Sequence, residues 1–154
     1  MKLDQILSLG GVKLLSSCSS KKRLFQDLGH MAEVTLGLSA DDVIEALQER
    51  ESLGPTGVGG GVALPHARLS ELESVRGLFL RLTKPIDFEA VDRQPVDLVF
   101  ALLAPEDAGV QHLKALALVS RTLRDAGTCA KLRANADPGT LHTILTEATT
   151  SQAA

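Results

Sequence analysis

The chain has no tryptophan and no tyrosine, and its aromatic content stops at four phenylalanines. Modules that bind nucleic acid lean on exposed aromatic faces and a basic stripe. Here 16 basic residues stand against 19 acidic ones, the net charge is -3, and no basic run exceeds Lys21-Lys22-Arg23. Nucleic acid is therefore not expected as a partner. Cysteine is scarce too: Cys18 and Cys129 are too far apart for a CxxC pair and too few for a disulfide scaffold, so both are expected as free thiols. His-x-x-x-His and His-Glu-x-x-His are absent, which leaves a metal site without a local ligand set. No Gly-x-Ser-x-Gly elbow exists for a serine hydrolase. The longest unbroken apolar run, Leu98 to Ala104, falls well short of the roughly 20 residues that a spanning helix needs. Asp4 comes too early for a signal peptide. A cytoplasmic protein with no membrane insertion is expected.

What is present is enough for one sizeable core: 154 residues, 44% of them hydrophobic and 23% charged. After a short apolar stretch, Val12 to Leu15, Ser19 or Ser20 can cap a helix whose apolar positions Leu24, Leu28 and Met31 recur at helical spacing. Ser39 with Asp42 resembles a capping box for a second helix, buried through Val43, Ile44 and Leu47 and stopped by Gly54-Pro55. The period then changes. Val62 to Leu64, Val75 to Leu82 and Val96 to Ala104 are short apolar runs bounded by glycine, proline or charge, as strands covered on both faces would be. Asp107 is the expected cap of a third helix reaching about Ala126, and Pro138 to Glu147 makes a last one. This order predicts an α/β fold, a single domain whose mixed sheet carries helices on both faces. The domain is expected over residues 1–148, with 149–154 as a polar tail that frays.

The densest punctuation is Gly54-Pro55-Thr56-Gly57-Val58-Gly59-Gly60-Gly61. It is not a P-loop, because Gly60 stands where the lysine must be, and the dinucleotide fingerprint fails at Val62. Two readings remain: backbone amides wrapped around an anion, or glycines at positive φ that let a strand enter the sheet. His66 follows Val62-Ala63-Leu64-Pro65 and so stands at a strand exit, where α/β sheets place ligands. A neutral imidazole is a competent nucleophile near pH 7. A plain surface histidine fits the pattern equally well. His112 shares a helical stripe with Leu116, Val119 and Leu123 and is expected to face inward, and Arg50 suits the end of the second helix by its charge alone. His30 and His142 lie in helical patterns with no partner motif and read as structural or solvated.

The run from Arg50 through Gly57-Val58-Gly59-Gly60-Gly61-Val62-Ala63-Leu64-Pro65-His66 resembles the active-site signature of phosphotransferase-system enzyme IIA, fructose/mannitol class. The likeness continues through Pro85-Ile86-Asp87-Phe88, through Gln94 to Leu103 with Pro105, and through His112-Leu113 opening a helix. With Ser19-Ser20-Lys21-Lys22 it covers nearly the whole chain and is nearest to the free-standing nitrogen-regulatory branch. The resemblance implies that His66 accepts a phosphoryl group from a histidine phosphocarrier protein, HPr or its nitrogen-type counterpart. It implies that Arg50 binds that group, that His112 lies beside the acceptor, and that Thr56, Gly57, Gly59, Gly60 and Gly61 form a phosphoryl-binding loop. No cofactor and no metal are implied. Protein targets that respond to phosphorylation are implied as further partners. Gly60 departs from the Gly-Asn-Gly common in the family and so removes a side-chain hydrogen-bonding group near the expected site, while Pro55 should stiffen the loop. Two other functions stay open: a sugar-specific enzyme IIA feeding a membrane permease, and a binding module that keeps the fold without carrying phosphate.

Overall fold

The computed structural model describes residues 1–153, with side chains as far as residue 148. Strand β6 (Val96–Pro105) lies at the centre and explains the layering. Its even positions Leu98, Phe100, Leu102 and Ala104 join one core, while Val99, Ala101 and Leu103 join another on the opposite face. A strand that is apolar on both sides has to be covered on both sides. Helices α2 (Lys21–Leu36) and α3 (Ala40–Ser52) cover the face of Val99, Ala101 and Leu103 through Leu24, Leu28, Val43 and Leu47. Helices α4 (Val110–Arg124), α5 (Ala126–Arg133) and α6 (Pro138–Ala153), with the short α1 (Leu3–Ile6), cover the other.

Among the described residues, six strands form one mixed sheet in the order β1-β5-β6-β3-β2, with β4 pairing beside β6. β1 (Val12–Leu15) runs parallel to β5 (Arg76–Ile86), and β5 is antiparallel to β6 in the register Phe79↔Phe100. β3 (Val62–Ala63) and β4 (His66–Leu69) both run parallel to β6, pairing Ala63↔Val99 and His66↔Leu102. They are two pieces of one interrupted strand, separated by Leu64-Pro65. β2 (Gly57–Gly59) turns back antiparallel on β3. The mixed sheet with helices on both faces is the fold expected from the sequence.

Several boundaries differ for local reasons. Ser20 and Ser39 do cap α2 and α3, accepting from the amides of Arg23 and Asp42. Asp107 does not cap α4. The chain first makes a turn in which the Ala108 amide donates to the Pro105 carbonyl, and the cap is Gly109 at φ +50°. The third helix ends at Arg124, close to its expected end, and a further helix not expected from the sequence, α5, is capped by Asp125, which takes an extended conformation and accepts from the Thr128 amide. β5 runs four residues beyond Leu82, across a register irregularity between Arg81 and Ile86 that accommodates Pro85. α6 extends to Ala153 and so takes in residues 149–153 of the expected tail, whose side chains, like residue 154, lie outside the described residues.

Candidate functional site

His66 is placed by the interruption between β3 and β4. The expectation of a strand exit needs correcting: the chain leaves the sheet for two residues only and His66 opens the next strand, paired to Leu102. The gap is itself bonded, because the Leu64 amide donates to the Thr56 carbonyl and the Leu102 amide to the Pro65 carbonyl. The backbone that carries the imidazole is therefore tied into the sheet on both sides.

The ring is oriented by two contacts. Nδ1 lies 2.9 Å from the Leu64 carbonyl oxygen. A carbonyl only accepts, so in the neutral ring Nδ1 carries the proton and Nε2 carries the lone pair. Arg50, in the last turn of α3, donates from Nε to that Nε2 at 3.3 Å and from Nη1 to the Gly54 carbonyl at 3.1 Å. His112, in the first turn of α4, stands edge-on to His66 with ring centroids 5.5 Å apart and planes at 76°. It is only 6% exposed, as its inward stripe position predicts, and its Nε2 makes no hydrogen bond among the described residues.

Electrostatics favour two neutral imidazoles. Burial is the main cause that holds the His66 pKa below its ordinary 6.5; the Leu64 hydrogen bond opposes it, the Arg50 guanidinium adds to the lowering and Glu51 opposes that in turn. Burial also lowers His112, helped by the neighbouring His66 and by Arg68. Both groups therefore titrate lower in the folded than in the unfolded chain. Between those values only the unfolded chain takes up protons, so their contribution to stability is complete above about pH 6.5 and is lost as the pH falls through the folded values. Ring chemical shifts of His66 and His112, followed against pH by NMR, are expected to show midpoints below 6.5. A midpoint at or above that value would remove the buried, neutral acceptor.

Arg50, His66 and His112 line one open hollow of about 690 Å³. Arg68, which nothing in the sequence singled out, lines it as well: it sits two residues beyond His66 on β4, and residues i and i+2 of a strand share a face. That spacing was the available signal. Leu53 and Leu113, 83% and 65% exposed, flank the mouth.

The glycine segment is not among the lining residues of this hollow. Gly59, Gly60 and Gly61 have φ of 101°, 67° and 79° and form the tight turn between β2 and β3, so positive φ for strand entry is what these glycines supply. The Gly60 amide donates to Asp92, and its carbonyl accepts from Arg133, itself ion-paired with Asp97. Thr56 is buried and bonded to Glu51. The departure at Gly60 therefore lies outside the hollow. A Cβ there meets nothing within 4 Å, and asparagine tolerates left-handed φ better than most residues. Gly60→Asn is expected to alter stability by less than about 1 kcal/mol and to leave the His66 titration unchanged, as checked by thermal melts and NMR.

His30 is exposed on α2, and His142 Nε2 lies 2.9 Å from the Leu7 carbonyl, joining α6 to the chain after α1. Neither approaches the hollow. Among the described residues no three His, Cys, Asp or Glu side chains converge to hold a metal, and no helix is long and apolar enough to cross a membrane.

Comparison with known proteins bears on this geometry. The family described as "Phosphoenolpyruvate-dependent sugar phosphotransferase system, EIIA 2" matches residues 5–148. A nitrogen regulatory protein of Bradyrhizobium diazoefficiens is 52% identical over 127 residues, covering 82% of this chain and 83% of its own. One from Klebsiella oxytoca is 43% identical over 150 residues, covering 96% and 92%. The crystal structure of nitrogen regulatory protein IIA-Ntr from Neisseria meningitidis superposes with a TM-score of 0.85 at 38% identity, covering 92% of this chain and 97% of that one.

Proposed function

Because the chain belongs to the EIIA 2 family of the phosphoenolpyruvate-dependent sugar phosphotransferase system, we propose that it is a phosphoryl-accepting regulator of the nitrogen type, with His66 Nε2 as the acceptor atom. The observation that carries this reading is the oriented His66 ring, with Nδ1 anchored on Leu64 and the Nε2 lone pair turned to Arg50. The proposed donor is a phosphohistidine on a histidine phosphocarrier protein. The donor's N–P bond breaks, its imidazole leaves with the electron pair, and the phosphorus forms a bond to His66 Nε2. The proton stays on Nδ1, donated in a hydrogen bond to the Leu64 carbonyl.

Such a transfer spreads negative charge over the three equatorial oxygens, so alignment and charge stabilisation supply most of the catalysis. Arg50 offers a planar fork of donors, which in the resting state rests on Nε2 and in transfer turns onto the phosphoryl oxygens. His112 lines the same hollow, and its buried Nε2, unpartnered among the described residues, becomes a donor to a phosphoryl oxygen when the ring holds that proton and turns toward it. Exposed Leu53 and Leu113 give the docking carrier an apolar rim that excludes water, which strengthens both interactions. The nitrogen-type reading takes its support from the identity to nitrogen regulatory proteins. A phosphoryl group brings about -1.5 to -2 charges to a hollow that holds two arginines, enough to change which partner surface fits it.

The test is incubation with Enzyme I, the phosphocarrier and phosphoenolpyruvate, read by intact mass, followed by comparing partner binding of the unmodified and phosphorylated protein. One phosphoryl group per chain is expected; no mass change would leave only a binding module with this fold.

A further inference from the structure

Arg50 has an unusual set of partners. Its guanidinium touches the His66 ring and one carbonyl, that of Gly54, and among the described residues no carboxylate lies within ion-pair distance. The absence of a carboxylate keeps the positive charge available to a phosphoryl group. It also means that, among the described residues, the Gly54 carbonyl is the one oxygen that aims the fork. Gly54 is held by its own backbone alone, its amide donating to the Glu51 carbonyl: a Cβ on it would meet nothing within 4 Å, and its neighbour Leu53 is exposed. Something else has to fix that turn.

The next residue along the helix does so. Glu51 points away from the hollow, because successive helical residues diverge by about 100°. Its carboxylate is only 6% exposed. Oε1 accepts from the Thr56 amide at 3.1 Å and from Lys21 Nζ at 2.8 Å, and Oε2 accepts from the Thr56 hydroxyl. Lys21, 19% exposed, is the first residue of α2, and its ammonium lies 4.9 Å from the centroid of the buried Phe88 ring. One carboxylate thus joins the end of α3, the start of α2 and the entrance to β2. The turn between Glu51 and Thr56 is clamped at both ends, with the Gly54 amide donating to the Glu51 carbonyl inside it.

We propose that Glu51 is a positioning residue for the acceptor site: by gripping Thr56 and Lys21 it fixes the turn whose Gly54 carbonyl holds the Arg50 guanidinium on His66. The proposal rests on the reading of His66 as phosphoryl acceptor and adds a set of residues, Glu51, Thr56 and Lys21, that never touch the phosphoryl group. Misplacing a catalytic group by about 1 Å costs up to a hundredfold in rate, so a slack turn has a measurable price even in a folded protein.

The experiment compares Glu51→Gln, Thr56→Val and Lys21→Met, each alone and combined with Arg50→Ala. Phosphoryl transfer is measured in single turnovers against concentration of the phosphorylated carrier, and the His66 ring is titrated by NMR. Glu51→Gln and Thr56→Val are expected to lower the maximal rate about tenfold or more, with little change in the carrier concentration at half-maximal rate. In the Arg50→Ala background the same substitutions should add almost nothing, because the residue they act through is gone. The charged and titratable groups that influence His66 are Arg50, Glu51 and His112, the last itself facing Arg68. Thr56→Val leaves all of these charges in place, so an upward move of the His66 midpoint reports release of Arg50. Loss of the Glu51 charge alone would move it down. If Glu51→Gln unfolds the chain, Thr56→Val carries the test. Undiminished effects in the Arg50→Ala background, or an unchanged rate and His66 titration in Thr56→Val, would overturn the proposal. A wild-type protein that takes no phosphoryl group would overturn the acceptor reading instead, while the titration would still judge the clamp.

Discussion

His66→Ala is expected to abolish stoichiometric phosphorylation by the phosphocarrier, while His30→Ala and His142→Ala are expected to label as the unaltered protein does. The difference follows from what each ring can present. His30 is exposed on α2 with no built surroundings, and His142 spends Nε2 on the Leu7 carbonyl. His66 alone combines an anchored Nδ1, a lone pair aimed into an open hollow, and a cation beside that lone pair. His112 is the natural fallback acceptor because its Nε2 is unpartnered, but it is buried and edge-on to His66, so an incoming phosphorus reaches it poorly. Tryptic mapping under alkaline conditions, which preserve phosphohistidine, identifies the labelled residue. Stoichiometric label persisting in the His66→Ala protein would move the acceptor elsewhere.

Arg50→Ala is expected to slow transfer by about a hundredfold to a thousandfold, the range found when one preorganised donor to a developing negative charge is removed. Arg50→Lys should recover part of that loss. Lysine keeps the charge but cannot hold Nε on the ring and Nη1 on the Gly54 carbonyl at once, since its ammonium is a point donor on a flexible stem. Circular dichroism should show all three proteins folded, because Arg50 is in the last turn of α3 and no core residue depends on it. Equal rates in the three proteins would reduce Arg50 to a cation that complements a helix end.

The parts of this molecule that were legible in the sequence are those governed by strong local periodicity. β6 was readable because apolar residues on consecutive positions can only mean burial on both faces, and α2 and α3 were readable from serine caps followed by helical stripes. The inward turn of His112 came from the same stripe logic. What could not be read were the features decided by long-range pairing. β4 follows β3 after two residues, and only the presence of β6 alongside makes a strand of His66–Leu69. The extra helix α5 depends on the Asp125 side chain acting as a cap, and Gly109 displaced Asp107 because a turn intervened. At the site, the direction of Arg50 and the grip of Glu51 on Thr56 and Lys21 join residues from three elements, a relation that no spacing rule encodes. The glycine segment left two readings open, an anion cradle or glycines at positive φ for strand entry, and its φ values serve a hairpin.

The two-residue gap between β3 and β4 also bears on the proposed regulatory role. With the Leu64 amide bonded to Thr56 and the Leu102 amide bonded to Pro65, the chain beneath His66 is pinned to a central strand that is buried throughout its second half. Amides in such a place open only with the whole domain, so hydrogen exchange around Leu102 should run at the slowest rate in the molecule. Phosphorylation of the imidazole is therefore expected to leave the backbone under it where it was. A partner would then read the modified and unmodified forms as one shape bearing two different electrostatic faces, and discrimination between them should weaken steeply with added salt.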